Sequence, residues 1–475
     1  MGIDERTRDI ELCNIKKCHK KMKKNVIIGL ISAVLFFPNG LEASEVFHSD
    51  STQIQASIRK EIKHKKYAID KNDYGDWRFR LGSYGEMLYQ HFDYGPNSFY
   101  ETGSTDDNRS QISIPRFVIA MDFKINPTWI LSSEIEFEYG GTGTGIEYEY
   151  NEAGEYELEV EKGGEVAIEQ FHITKIFNKA LQLRMGHFVV PVGLTNAHHE
   201  PIFFFSTSRP EGESSIIPNT WHETGISLLG SVGNIFKYEV MCVNGLDPNF
   251  FSRANFIKNG KQSMFETQTM TNPALAYRLE LQGEKSPRFG FSGYYTSKCS
   301  GNSSKPNKME EIDIPVLVLS ADAQYIGHNW CARTNFLWGK IGDSEALSKL
   351  NITMPKTGKI SLFPRDQVPE SALTWYAEVG YDLGTQLFKK CSLIPFVRYE
   401  YYNSMQTTEG AVAIEPRYKK DIFTAGINYY PLKNLVIKAD FSHRWVDRGN
   451  YNDENTVSLS VGYLAWMFKH KHNNK

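Results

Sequence analysis

The chain has 475 residues, with 53 Lys and Arg against 56 Asp and Glu and a formal net charge of −3, so nothing in its charge points to nucleic acid. Aromatic residues make up 13% (25 Tyr, 29 Phe), yet mean hydropathy is only −0.42. No internal stretch reaches the roughly 20 apolar residues of a membrane helix. A membrane β-barrel, in which only alternate residues meet lipid, fits this combination; a very large soluble all-β protein is the competing class.

The first 43 residues read as an export signal with an upstream extension. Met22-Lys23-Lys24-Asn25 supplies a positive region, Val26 to Phe37 a short apolar run, and Pro38-Asn39 with Ala43-Ser44 a breaker and a cleavage site. Met22 is the more natural start. Cleavage after Ala43 removes 8 of the 53 basic and 5 of the 56 acidic residues, leaving 45 against 51 and a net charge near −6. Cys13 and Cys18 go with it. Cys242, Cys299, Cys331 and Cys391 stay, widely spaced and without a C-x-x-C pattern, and are expected to be incidental thiols. Residues 44–76 are polar, with a basic patch around Ile58–Tyr67, and read as a solvated periplasmic segment; a trimer-contacting or peptidoglycan-facing role is the alternative.

From Trp77 the period becomes two. Phe79, Leu81, Met87 and Tyr89 share one face, opposite Arg78, Arg80 and Glu86. Phe117, Ile119, Met121 and Phe123 oppose Arg116, Asp122 and Lys124. Trp129, Leu131, Ile135, Phe137 and Tyr139 oppose Ser132, Glu134, Glu136 and Glu138. Strands with one apolar and one charged face suit lipid outside and water inside.

Thirteen further candidates follow, at 165–176, 181–188, 224–231, 235–244, 273–282, 288–296, 313–325, 329–339, 372–382, 393–402, 421–430, 434–445 and 456–468. In the first of these the two faces are mixed. Short connections, such as Ile125-Asn126-Pro127-Thr128 and Ile326-Gly327-His328, alternate with long polar ones at 91–111, 140–164, 189–223, 245–272, 297–312, 340–371, 403–420 and 446–455. The prediction is an all-β, antiparallel transmembrane barrel of about 16 strands over residues 77–468, with short periplasmic turns and long external loops, followed by a basic tail, 469–475. A barrel of that size is too wide to fill with wall side chains alone.

Two loops stand out. In 140–164, carboxylates alternate with apolar residues from Glu147 to Glu161, which reads as a solubilising external ribbon; no regular calcium loop is present, and calcium shared with surface lipopolysaccharide is the alternative. The third long loop, 189–223, carries four prolines and the run Ile202-Phe203-Phe204-Phe205, so it needs somewhere to pack. The lumen is that place. Its polar residues His198, His199, Glu200, Arg209, Glu211 and Glu213 are candidates for a pore constriction, with Arg209 facing the acids. A His198-His199-Glu200 metal site is disfavoured, because adjacent side chains on an extended segment diverge.

The passage Leu183-Arg184-Met185-Gly186-His187-Phe188-Val189-Val190-Pro191-Val192-Gly193-Leu194 resembles the R-x-G-x-F-x-x-P-x-G lead into the third loop of the phosphate-selective porin O/P family of Gram-negative outer-membrane channels. Trp221-His222-Glu223-Thr224-Gly225 is similar in kind to that loop's exit. The resemblance implies a sixteen-stranded homotrimer in the outer membrane, among its lipids and lipopolysaccharide, with the third loop folded into an anion-preferring pore. The expected wall carries Arg116, Arg184, Lys237, Arg278, Arg333, Arg398, Lys438 and Arg444. It also carries Asp122, Glu134, Glu136, Glu138, Glu239, Glu280, Asp322, Glu378, Glu400 and Asp440, so the wall is balanced and phosphate preference stays open.

No catalytic motif, phosphate-cradling loop or cofactor signature appears. The expected function is passive diffusion of small hydrophilic solutes or ions through a pore narrowed by residues 189–223. The alternative is a plugged surface barrel that binds partners through its loops.

Overall fold

The computed structural model describes residues 77–94, 107–141, 147–150, 156–159, 165–233, 235–262, 268–282, 287–303, 309, 311–353, 366–384, 391–446 and 454–471. The expected signal, residues 1–43, and the segment 44–76 lie outside them, as does the end of the basic tail.

The chain opens with β1 (Trp77–Tyr94), β2 (Asp107–Asn126) and β3 (Trp129–Glu138). A short ribbon follows, β4 (Glu147–Tyr150) paired with β5 (Tyr156–Glu159), inside the acidic loop. Then come β6 (Glu165–Ile176), β7 (Gln182–Val189), β8 (His222–Val232), β9 (Phe236–Val243), β10 (Ala274–Gln282), β11 (Arg288–Thr296) and β12 (Val316–Gly327). The chain finishes with β13 (Trp330–Ile341), β14 (Ser371–Tyr381), β15 (Ser392–Thr407), β16 (Lys419–Leu432), β17 (Leu435–Val446) and β18 (Glu454–Lys471). All but β4 and β5 form one closed antiparallel barrel of sixteen strands, shut by β1 against β18. Every expected strand is present. β18 continues pairing as far as Lys471, so the first residues of the basic tail belong to the barrel seam.

The alternation that predicts the strands is realised on β10. Arg278 and Glu280 are buried on the inner face, whereas Leu275, Leu279 and Leu281 stand exposed. The same belt continues outside through Phe289, Phe291, Phe336, Trp375, Tyr399, Phe423 and Phe441. So much contiguous apolar surface marks a lipid-facing wall. Two departures have a backbone cause. Arg78, expected inward, is exposed, because the ladder shifts register between Trp77 and Phe79. On β6 the faces are mixed because pairing with β3 jumps from Gln170 to Ile168, leaving Glu169 as the extra residue of a β-bulge. The tight turn joining β12 and β13 places His328 and Asn329 at φ 51 and 65, the left-handed pair that matches the twist of adjacent strands.

The apolar core lies inside the barrel and is built from loops and from inward-facing strand residues alike. Phe188, Val190, Val192, Ile216, Ile217 and Trp221 meet Leu246, Phe251, Phe256 and Ile257 of the fourth loop, Cys299 and Ile314 of the fifth, and Leu347 and Val368 of the sixth. Leu347 is carried on a helix, Ser344–Thr353. Cys242, Cys299, Cys331 and Cys391 are all free.

Candidate functional site: the lumen and its third loop

The third loop, L3 (residues 190–221), leaves β7 at a point where the sequence is tightly constrained. Gly186 has φ +130, and a Cβ there would stand 2.4 Å from the Phe171 carbonyl oxygen. Gly193 has φ +83, and its missing Cβ makes room for the Glu213 carboxylate. The two glycines of the lead-in are therefore demanded by backbone shape and by a close approach. Gly186→Ala is expected to destabilise the barrel by about 2 kcal/mol or more, read from the urea midpoint in lipid; an unshifted midpoint would show that β7 can relax around a Cβ.

Beyond Gly193 the loop forms α1 (Leu194–Ala197), an arm that includes a 3-10 turn at Pro201–Phe203, and α2 (Glu211–Ile216). Asn196 ties its ends together: Nδ2 donates to the Val190 carbonyl at 2.6 Å, and Oδ1 accepts from the Trp221 amide at 2.6 Å. Trp221 is fully buried against Tyr294, with ring centroids 4.6 Å apart, and donates from Nε1 to Glu223 at 3.0 Å.

L3 bonds to inward-facing side chains all round the ring. Arg278 Nη1 (β10) donates to the Gly193 carbonyl at 3.3 Å, and Asn335 Nδ2 (β13) donates to Glu213 Oε2 at 2.8 Å. Thr195 Oγ1 meets the Tyr376 hydroxyl (β14) at 3.3 Å. On the other side Lys438 Nζ (β17) donates to the carbonyls of Phe204 and Ser206 at 2.8 and 2.9 Å, Asp440 accepts from Ser206 and Thr207, and Arg398 Nη1 (β15) donates to the Ser208 carbonyl. Ile202 and Phe203 join Tyr84, Val118, Tyr430, Val436 and Leu464 in an apolar cluster. Phe205 stacks on Phe396 at 5.3 Å, under the Arg333 guanidinium.

What L3 leaves open is a polar cavity of about 830 Å³. Its wall includes Glu86, Arg116 and Glu136 from β1–β3 and Arg398, Glu400, Asp440 and Arg444 from β15 and β17. L3 contributes the stretch from Phe204 to Arg209 except Phe205, together with Glu211, and the fourth loop adds Lys258 and Lys261. Both signs are present, largely in pairs. Arg116 lies 3.4 Å from Glu136, Arg398 lies 3.1 Å from Glu400, and Arg444 pairs with Glu211 and Glu454.

Of the six predicted constriction residues, the structure brings Arg209 and Glu211 to this cavity. Arg209 donates to Thr220, whereas Glu211 faces Arg444 and the Tyr402 hydroxyl rather than Arg209. His198 bonds through Nδ1 to the Leu194 carbonyl, Glu200 accepts the Phe203 amide through its backbone, and Glu213 holds the loop to Asn335. His199 turns the opposite way, to Tyr84 and Glu169. Of the predicted wall, Arg116, Glu136, Glu138, Arg398, Glu400, Asp440 and Arg444 face the cavity. Arg184 pairs with Glu239 and Arg333 with Glu378, Glu134 accepts from Gln170, and Arg278 and Lys438 are engaged with L3. Sequence reasoning missed Arg288, which joins Arg278, Glu280 and Asp322, and the two fourth-loop lysines.

Glu213 sits in the loop, outside the spanning strands. Burial pushes its carboxyl up to about 7, against the pull of the Asn196 amide. Its folded value is raised above the ordinary 4.5, so its stabilising share is full below about 4.5 and is lost as pH rises through about 7. Glu213→Gln is expected to flatten that slope, read as the difference in unfolding temperature between about pH 5 and pH 8; an unchanged slope would assign the pH dependence elsewhere.

No family model matches the chain. A protein of Aquifex aeolicus (strain VF5) is 24% identical over 398 residues, covering 82% of this chain and 79% of that one. Among solved structures, the outer membrane channel DcaP of Acinetobacter baumannii aligns with 82% of this chain and 97% of its own at 10% identity and TM-score 0.48. The anion-selective porin from Comamonas acidovorans aligns with 82% and 100% at 8% identity and TM-score 0.46.

Proposed function

We propose that the chain is an outer-membrane porin that passes small hydrophilic solutes or ions by passive diffusion, with L3 as the element that narrows the path. The observation that carries this reading is the polar cavity of about 830 Å³ between L3 and the wall of a sixteen-stranded barrel whose outer face is apolar. Arg209 and Glu211 on L3, opposite Arg116, Glu136, Arg398 and Arg444, are the groups a permeating ion meets. Fixed charges of both signs at such a site filter by size and by local field. The resemblance of residues 183–194 to the phosphate-selective O/P family adds a homotrimer, export by a cleaved signal and an anion or phosphate preference.

A second reading has its own support. L3 is bonded to opposite walls, and four loops share one apolar core, which is how a plugged barrel acting through its external surface would be built. Single-channel recording in a planar bilayer under a salt gradient separates the two. Steady conductance supports the porin, and the sign of the reversal potential reports the preferred ion. Block of chloride current by phosphate supports the family's selectivity. A folded, heat-modifiable barrel without conductance would discard the porin in favour of the plugged reading.

A further inference from the structure

The bulge on β6 aims Glu169 into the barrel, and what it meets there has chemistry of its own. Glu169 is 0% exposed. Its Oε2 accepts from the Tyr84 hydroxyl at 3.1 Å, while Oε1 has no hydrogen-bond partner and lies 3.4 Å from His199 Nε2. Glu134 on β3 completes a trio whose ligand-type atoms all lie within 4.8 Å of one another.

The histidine is oriented by its own loop. His199 Nδ1 lies 3.2 Å from the Asn196 carbonyl, an acceptor only, so that nitrogen carries the proton. In the neutral ring Nε2 then presents a lone pair to a carboxylate oxygen that also has only lone pairs. The Tyr84 hydroxyl, 3.1 Å from both Nε2 and Glu169 Oε2, has one proton to give. Something positive belongs between Nε2 and Oε1: a second proton on the ring, or a cation. The charge around the site favours the cation. Two carboxylates face one imidazole, and of the two arginines near them Arg116 is engaged with Glu136 and Thr220 and Arg209 with Thr220. The spacing agrees as well. Two ligands about 2.1 Å from one ion at a tetrahedral angle sit roughly 3.4 Å apart.

We propose that Glu134, Glu169 and His199 form a binding site for a divalent first-row transition cation of the Zn²⁺ type, fastening L3 to the β3–β6 wall. One imidazole and two carboxylates suit such an ion, with water completing the shell. Asn196, Tyr84 and Gln170, which bond to the three ligands in turn, orient them from behind. Glu134, the partly exposed member, is the side from which the ion enters. The site needs L3 seated but not a conducting pore, so it stands apart from the porin reading.

The test is calorimetric titration of Zn²⁺ into the detergent-solubilised full chain after treatment with a chelator. One equivalent per chain is expected, lost in Glu169→Gln and in His199→Ala. It is retained in His198→Ala, whose ring faces the Leu194 carbonyl, and in a variant with alanine at both His470 and His472 of the basic tail. Heat-modifiable migration confirms folding of each variant. Absence of the one-equivalent step in the wild type overturns the site, as does a step that survives His199→Ala; both leave an imidazolium–carboxylate pair as the occupant.

Discussion

Replacing Ile202, Phe203, Phe204 and Phe205 together by glycine is expected to raise single-channel conductance several-fold while leaving a folded, heat-modifiable barrel. These four side chains are each at least nine-tenths buried and fix the L3 arm against Tyr84, Tyr430 and Phe396. Burying side chains of this size contributes on the order of 1.5–3 kcal/mol each, so the arm loses most of what holds it apart from its polar bonds to Lys438 and Asp440. Four glycines also add backbone freedom that must be lost on seating. The wall does not depend on these contacts, because its strands are joined by continuous ladders and closed by β1 against β18. Unchanged conductance would show that the arm does not bound the path. Failure to fold would make the arm part of the scaffold.

The alternation of faces made the barrel legible, because lipid on one side and water on the other impose a period that survives imperfect strands. On β10, Leu275, Leu279 and Leu281 against Arg278 and Glu280 leave little choice of register. The packing of L3 was legible for a related reason: four adjacent apolar residues in a polar loop must be covered. The metal-type cluster was not legible, since it depends on the bulge that turns Glu169 inward, and a bulge appears in sequence only as mixed faces. Nor was the joint core of the third to sixth loops, where Trp221, Phe251, Ile314 and Leu347 come from segments that carry no shared period. Charge balance was visible as a sum, but not its pairing: Arg444 and Glu211 reach the cavity as a pair.

Arg278→Ala is expected to be the most damaging single change in the wall, costing roughly 3–5 kcal/mol, because it removes one partner from a fully buried ionic cluster. Arg278 is 0% exposed; its Nε lies 2.8 Å from Glu280 and its Nη2 2.6 Å from Asp322. Arg288 bonds the same two acids at 2.9 Å each, so the wild type balances two positive with two negative charges across β10, β11 and β12. Gly290 on β11 leaves the space: a Cβ there would stand 2.4 Å from both Arg278 Nη2 and Asp322 Oδ2. Removing Arg278 leaves Glu280 and Asp322 to share one arginine, and it frees the Gly193 carbonyl that anchors the start of L3. The measurement is the urea unfolding midpoint in lipid, with Asp322→Asn and the double variant completing a cycle. A coupling of about 1 kcal/mol or more between the two positions is expected, since each loses its value without the other. Additive losses, or a cost for Arg278→Ala below about 1 kcal/mol, would mean that water reaches the cluster and screens it as it does a surface pair.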